Sequence, residues 1–240
     1  DYSYADAGDG PAVFVILIIG FIVVGLALWM EVTLSPPLWL HFLLWIPLTL
    51  VLCLGALRLI KGVLLTLQYR NKAADEPLRR EQAKALQALA RQAEVPFIIN
   101  DDWRLAMDIG ADGVHLGAED ALPGLVRAQT GERMIIGVSC YNELARAQRM
   151  SLEDVDYLAF GAAFPSQTKP GAPQAGLEIL RAAKAFGKPL VAIGGISPDN
   201  SAEVLAAGAD YLAVISGIFS AASPERALAS YLNTFQRQYP

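Results

Sequence analysis

Residues 110–120 read Gly-Ala-Asp-Gly-Val-His-Leu-Gly-Ala-Glu-Asp, and this stretch decides the fold. A glycine suited to the left-handed position closes a helix, the apolar run Gly113 to Leu116 follows as a strand, and Glu119-Asp120 makes a polar turn beyond it. Gly208-Ala209-Asp210 repeats the opening of the motif, and Val155-Asp156-Tyr157 is a weaker copy without the glycine. Working outward, strands are predicted at Pro96 to Ile99, Gly113 to Leu116, Met134 to Val138, Tyr157 to Phe160, Pro189 to Ile193 and Tyr211 to Ile215, alternating with helices. They are short Val/Ile/Leu runs, which predicts a parallel sheet covered on both faces. Polar or glycine turns follow the strands: Asn100-Asp101, Glu119-Asp120, Ser139, Thr168-Lys169, Gly194-Gly195 and Ser216-Gly217. A barrel gathers such ends at one mouth, whereas an open doubly wound sheet spreads them along an edge, so a (β/α)8 barrel is expected.

The first quarter of the chain is of another kind. Of 240 residues 54% are hydrophobic and 18% charged, with mean hydropathy +0.36, yet from Pro11 to Leu57 the one charged side chain is Glu31. Residues 11–30 and 38–57 are each long enough, as helices, to cross a hydrocarbon layer of about 30 Å. The connector 31–37 ends in Pro36-Pro37, which predicts a tight hairpin. Trp29 and Trp39 flank it, and Arg58, Lys61, Arg70 and Lys72 follow the second run, so both chain ends are expected on the cytoplasmic side of the inner membrane, with lipid as a partner. A signal peptide fits less well, because the opening residues are acidic. His41 and Cys53 read as helix-packing residues. With only Cys53 and Cys140 there is neither a disulfide framework nor a four-ligand zinc site. A net charge of −5 without a basic stripe gives no reason to bind nucleic acid.

Two resemblances follow from particular residues. Tyr2 to Pro11, running into the first apolar stretch, resembles the family of unknown function DUF983 over about residues 1–72. The rest closely resembles the thiamine-phosphate synthase family. The matching blocks are Gln68-Tyr69-Arg70-Asn71-Lys72, Ile99-Asn100-Asp101, Gly110 to Asp120, Gly137-Val138-Ser139, Phe164 to Pro170, Ala192 to Ile196 and Val214-Ile215-Ser216. That family resemblance implies a transferase that couples a hydroxymethylpyrimidine diphosphate to a thiazole phosphate and releases pyrophosphate. It implies that Arg70, Lys72 and Lys169 grip the diphosphate, with Ser139 donating a hydrogen bond. Asp101 and Asp120 would hold Mg²⁺, and Gln68 and Asn100 would bind the pyrimidine substrate. Ser166, Gln167, Thr168, Gly195, Ile215 and Ser216 would cradle the thiazole phosphate. Fixed cations aimed at a departing pyrophosphate stabilise the transition state more than the ground state, which is why the residue types suit the reaction.

Several residues have a second reading. Asp101 could cap the helix that begins near Trp103, Asp120 could be a turn residue only, and Lys169 could be a solvated loop charge. His115 reads better as a satisfied core histidine than as a catalyst, and Cys140 as a packed residue rather than a reactive thiol. The barrel is also short. A complete one takes about 200 residues or more, and an apolar span occupies the place of the first strand-helix unit. The expected fold is therefore an incomplete (β/α)8 barrel lacking that unit, on residues 63–240, behind a transmembrane helical hairpin on residues 1–62. Residues 62–72 carry the conflict, since Leu-Leu-Thr-Leu-Gln-Tyr-Arg can be a strand or continue the second span as a helix. Such a junction is expected of a joined or fragmentary sequence. It leaves the run at Leu64 to Tyr69 and the strand at Tyr211 to Ile215 as open edges, unless another copy in a homo-oligomer or the hairpin covers them. The competing function is a non-enzymatic membrane protein with a degenerate phosphate-binding remnant. A thiazole tautomerase is a weaker rival, because Ser139-Cys140-Tyr141-Asn142 lacks the histidine it uses near that strand end.

Overall fold

The computed structural model describes residues 23–34, 36–37, 40–41, 44–45, 48, 65–165 and 174–238. The chain divides into two compact units, Asp1–Leu64 and Leu65–Pro240.

In the first unit residues 23–34 are helical. The helix runs past the expected end at Met30, through Glu31 to Leu34, and Pro36 and Pro37 are not helical, so it takes in part of the expected connector. Glu31 Oε2 lies 3.0 Å from His41 Nε2, and Trp45 Nε1 donates to His41 Nδ1 at 3.1 Å. His41 thus has an acidic partner. Among the described residues no helix is long and apolar enough to cross a membrane, so the two-span hairpin is not supported; most of both expected spans, with Cys53, lies outside those residues.

The second unit is a parallel sheet with helices on its outer face. Strands β1 (Leu67–Tyr69), β2 (Phe97–Asn100), β3 (Gly113–Leu116), β4 (Ile135–Tyr141), β5 (Tyr157–Gly161), β6 (Leu190–Ile193) and β7 (Tyr211–Ala213) lie side by side in chain order. Between and after them come helices α1 (Glu76–Gln92), α2 (Trp103–Ile109), α3 (Pro123–Thr130), α4 (Leu144–Ser151), α5 (Gly176–Ala183), α6 (Ser201–Ala206), α7 (Ser216–Phe219) and α8 (Pro224–Gln238). The contested run is extended, with Leu67, Gln68 and Tyr69 in parallel register with Phe97, Ile98 and Ile99. Helix α1 begins only after Asn71 accepts from the amides of Ala73 and Ala74, and after Asp75 caps it by accepting from Leu78 N at 3.0 Å. Strand β7 stops at Ala213, two residues before the expected end, because Ile215 already caps α7.

The recurring aspartate has a structural task that the helix-closing glycine only hints at. Asp112 accepts from Phe97 N at 2.8 Å while its own amide donates to Phe97 O at 2.9 Å. Asp156 does the same to Ile136 and Asp210 to Leu190. Each acid therefore locks the first or second residue of the preceding strand at the base of the β2/β3, β4/β5 and β6/β7 pairs. Gly110 and Gly208 supply the left-handed turns (φ +68° and +109°) that bring two of these acids into place.

Side chains alternate across the sheet. Phe97, Ile99, Val114, Leu116, Ile136, Val138, Leu158 and Phe160 pack outward against Ala83, Ala90, Leu105, Val126, Ala147 and Leu180 of the helices, and these form the core. The inner face carries Gln68, Asn100, His115, Gly137, Ser139, Tyr157, Ile193 and Tyr211. It is not fully covered: Ile193 and Tyr211 stay 37% and 41% exposed, whereas Ala159, one strand inward, is buried. Among the described residues β1 and β7 each have one strand neighbour, so the ring does not close.

Candidate active site

The strand ends after β1, β2 and β3 build one acidic and basic cluster. Gln68 lies on β1, and Arg70 and Lys72 follow at every second position as the chain leaves the strand, a spacing that a helix would spread around its axis. Gln68 Nε2 donates to Asn100 Oδ1 at 2.6 Å, and the Asn100 amide donates in turn to Asp101. Lys72 Nζ sits 3.1 Å from Asp101 Oδ2. Asp101 adopts a left-handed backbone (φ +69°), fixed by its amide donating to His115 O at 2.8 Å. The cap of α2 is its neighbour: Asp102 accepts from Leu105 N at 2.9 Å, which leaves the Asp101 carboxylate free to face the mouth. A cleft of about 260 Å³ opens beside Arg70, Asn71, Lys72, Asn100 and Asp101.

Asp120 closes the cluster. It does hold its own turn, accepting from Gly117 N at 2.6 Å, and it also lies near enough to Asp101 for the two carboxyls to act on each other. Partial burial raises its proton affinity and the Asp101 charge adds to that, against the opposing pull of the Gly117 amide and Lys72. Two neighbouring carboxylates, with one lysine paired to Asp101, favour a shared proton or cation. Oxygen donors in this arrangement fit a hard divalent ion completed by water and substrate oxygens. Among the described residues no group of three or more metal-ligating side chains exists, so the protein would supply only this pair.

Ser139 enters from β4 through His115. His115 Nε2 lies 2.8 Å from Ser139 Oγ and Nδ1 lies 2.9 Å from the Tyr157 hydroxyl, with the two rings stacked 5.6 Å apart. The register explains the reach, since Asn100, His115, Gly137 and Tyr157 are successive partners across four strands. A Cβ on Gly137 would fall 1.9 Å from the Tyr157 ring, so the ring crosses β4 only because glycine is there. Burial pushes His115 down to about 4, helped by the Arg70 charge and opposed by Asp101. His115 is therefore the satisfied, neutral core histidine the sequence suggested. Cys140 is inert as well: it is buried, and its thiol is pushed up to about 12.

On the opposite side of the mouth, Gly194 and Gly195 both have positive φ, and a Cβ on Gly195 would meet Pro165 O at 2.6 Å. The backbone after β6 thus lies against the segment after β5. Ile215 and Ser216 stand exposed at the end of β7. Ser166, Gln167, Thr168 and Lys169 lie outside the described residues. Sequence reasoning missed Tyr157, Tyr141 and Arg146 as parts of the mouth. For Tyr157 a signal existed, namely a glycine inside a buried apolar strand, which often marks a close approach.

Comparison with known proteins agrees with this geometry. The sequence model of the family described as thiamine monophosphate synthase matches residues 52–218, and that of a protein family of unknown function, DUF983, matches residues 1–69. The chain is similar to the thiamine-phosphate synthase of Xylella fastidiosa, 51% identical over 177 residues that cover 74% of this chain and 75% of that one. To the thiamine-phosphate synthase of an Azoarcus species it is 54% identical over 166 residues, covering 68% and 80%. Among solved structures it resembles thiamine phosphate pyrophosphorylase from Pyrococcus furiosus, with TM-score 0.68 and 33% identity over 76% of this chain and 88% of that one. A family match over more than half of the chain, at this level of identity and on this parallel sheet, means that the chain belongs to the thiamine monophosphate synthase family.

Proposed function

We propose that the chain joins hydroxymethylpyrimidine diphosphate to a thiazole phosphate and releases pyrophosphate. The observation that carries this reading is the gathering of the Asp101–Asp120 pair, Lys72 and the Ser139–His115 pair at one end of the sheet. In the reaction the bond between the pyrimidine methylene carbon and the diphosphate oxygen breaks, and the oxygen keeps the electron pair. The thiazole nitrogen lone pair then forms the new carbon–nitrogen bond. No proton need move, which agrees with a neutral histidine used as a support and with a cysteine too weakly acidic to act.

Arg70 and Lys72 hold the diphosphate by charge, with Lys169 as the expected third cation. Ser139 donates a hydrogen bond to it. That donation is available when the Tyr157 hydroxyl donates to His115 Nδ1, because Nε2–H then donates to Ser139 Oγ and leaves the serine proton free. Burial pushes the Tyr157 phenol up, so it stays a donor. Gln68 and Asn100, bonded to each other, meet the pyrimidine end. Ser166, Gln167, Thr168, Gly195, Ile215 and Ser216 receive the thiazole phosphate. Asp101 and Asp120 would hold Mg²⁺, which when bound adds positive charge against the departing pyrophosphate.

The test is formation of thiamine phosphate by the full chain from the two substrates with and without Mg²⁺. Turnover that Lys72→Ala lowers about 100-fold or more is expected, in line with the loss of an electrostatic contact to a leaving group. No product at high protein concentration would favour the non-enzymatic membrane reading instead. The tautomerase reading has no support, since the histidine nearest the β4 end is the buried His115. The apolar N-terminal stretches and the basic residues after them support a tether to the cytoplasmic face of a membrane, and membrane fractionation tests it. A homo-oligomer that covers the open edges is tested by sedimentation.

A further inference from the structure

The turn 117–120, which carries Asp120, is held from outside. Arg146, near the start of α4, donates from Nη2 to Gly117 O at 3.2 Å and from Nε to Ser139 O at 2.7 Å. The Tyr141 hydroxyl accepts from Ala118 N at 3.2 Å. Tyr141 reaches that amide because β4 bulges between Ser139 and Tyr141 and because Tyr141 takes a left-handed backbone (φ +54°), rare for a residue with a bulky side chain. Gly117 completes the link by donating to Asp120 Oδ2, and a Cβ there would press on Asp120 Oδ2 at 3.0 Å and on the tyrosine oxygen at 3.3 Å. One guanidinium therefore ties the strand end that bears Ser139 to the turn that bears Asp120. Only a planar fork can satisfy both carbonyls at once.

We infer that Arg146 and Tyr141 are positioning residues, which fix the turn that carries Asp120 so that its carboxylate stands beside Asp101, where the two can hold one cation. The inference rests on the function proposed above and assigns to it two residues that act through the backbone of that turn. Outer partners of this type commonly change metal affinity by about 10–100-fold when removed.

The experiment titrates the full chain with Mn²⁺ alone and follows free Mn²⁺ by electron paramagnetic resonance, for wild type, Asp120→Asn, Arg146→Lys and Tyr141→Phe. Hydrogen exchange of residues 113–141 is read in parallel. Weakening of at least tenfold is expected for Asp120→Asn, about tenfold for Arg146→Lys, and about threefold for Tyr141→Phe, which loses one neutral hydrogen bond. The amides of 117–120 should exchange faster while those of β3 and β4 stay protected. If Asp120→Asn binds Mn²⁺ like wild type, the cation site itself falls, and the positioning role with it. If Asp120→Asn weakens binding while Arg146→Lys and Tyr141→Phe do not, the site stands and the positioning role is overturned. Weakening that comes with general loosening of β3 and β4 in both outer variants also overturns it, because the effect is then only structural.

Discussion

Lowering the pH from 7 to 5 should destabilise the fold through one residue, His115. In the folded chain its imidazole is buried between Ser139 and Tyr157, and its proton affinity is pushed down from 6.5 to about 4. In the unfolded chain it titrates near its ordinary value. Between these two values the unfolded state binds the extra proton and the folded state does not, so stability is complete above about pH 6.5 and is lost as the pH falls toward 4. The full gap corresponds to about 3 kcal/mol, at about 1.4 kcal/mol per tenfold change in proton affinity, and about 2 kcal/mol of it is spent between pH 7 and 5. Other groups also respond to acid, so the measurement is a difference. Urea unfolding is followed by far-ultraviolet circular dichroism at both pH values for wild type and for His115→Gln, whose amide can meet the same two hydroxyls but does not titrate. Wild type should lose about 2 kcal/mol more than the variant on acidification, a midpoint shift of about 1 M urea at the slope usual for a domain of this size. Parallel losses in the two proteins would refute the reasoning, because the buried imidazole would then carry no linkage.

Three other perturbations follow from the geometry. Gly137→Ala places a methyl where the Tyr157 ring lies, so the ring must leave His115; thermal unfolding should show a loss of about 1–3 kcal/mol, with a drop in kcat if Ser139 depends on that support. Asp210→Ala removes one acceptor from the Leu190 amide and should cost about 1–2 kcal/mol by urea unfolding. Asp156→Ala should cost more, about 2–4 kcal/mol, because it also removes the 2.8 Å charged hydrogen bond from the buried Arg127 guanidinium, which keeps Asp154 and the carbonyls of Gly131 and Met134, and equal losses for the two aspartates would count against that account. Gly195→Ala forces the backbone after β6 away from Pro165, so KM for the thiazole phosphate should rise about tenfold or more while the KM for the pyrimidine substrate stays within about twofold.

The sheet was legible because each strand is a short apolar run with its own turn, and β3 falls within the residues named for it. The aspartate in Gly-Ala-Asp was visible as a repeat, but its work was not, since a carboxylate that locks a neighbouring strand is a contact between residues 15 to 20 positions apart. The Asp101 cap was legible in kind and misplaced by one residue, a distance that pattern reading does not resolve. The conflict at residues 62–72 could not be decided from local preference, as Leu-Gln-Tyr suits either conformation; the pairing with Phe97 to Ile99 decides it. Tyr141 and Arg146 were beyond reach for another reason. Both act through backbone carbonyls and amides of a different loop, and backbone partners leave no trace in the identities of side chains.

Among the described residues the two borders of the sheet, β1 and β7, are not equally well held. Strand β1 borders the gap, yet it is fastened on the side that exists. Leu67 N donates to Pro96 O at 2.9 Å, Gln68 bonds Asn100, and Lys72 pairs with Asp101. From the helix layer, Gln82 Oε1 accepts from both the Tyr69 hydroxyl and the Asn71 amide. Gln68, Asn100, Lys72 and Ser139, four of the groups proposed to meet the pyrimidine diphosphate, are thus held by contacts among β1, β2, β3 and β4. At the other border, among the described residues, β7 pairs with β6 alone, and the inner side chains Ile193 and Tyr211 stay partly exposed. On the proposed function this difference predicts that the pyrimidine diphosphate still binds where its coupling is slow; calorimetric binding of that substrate to the full chain beside its turnover number checks it, and binding as weak as the coupling is slow would count against the account.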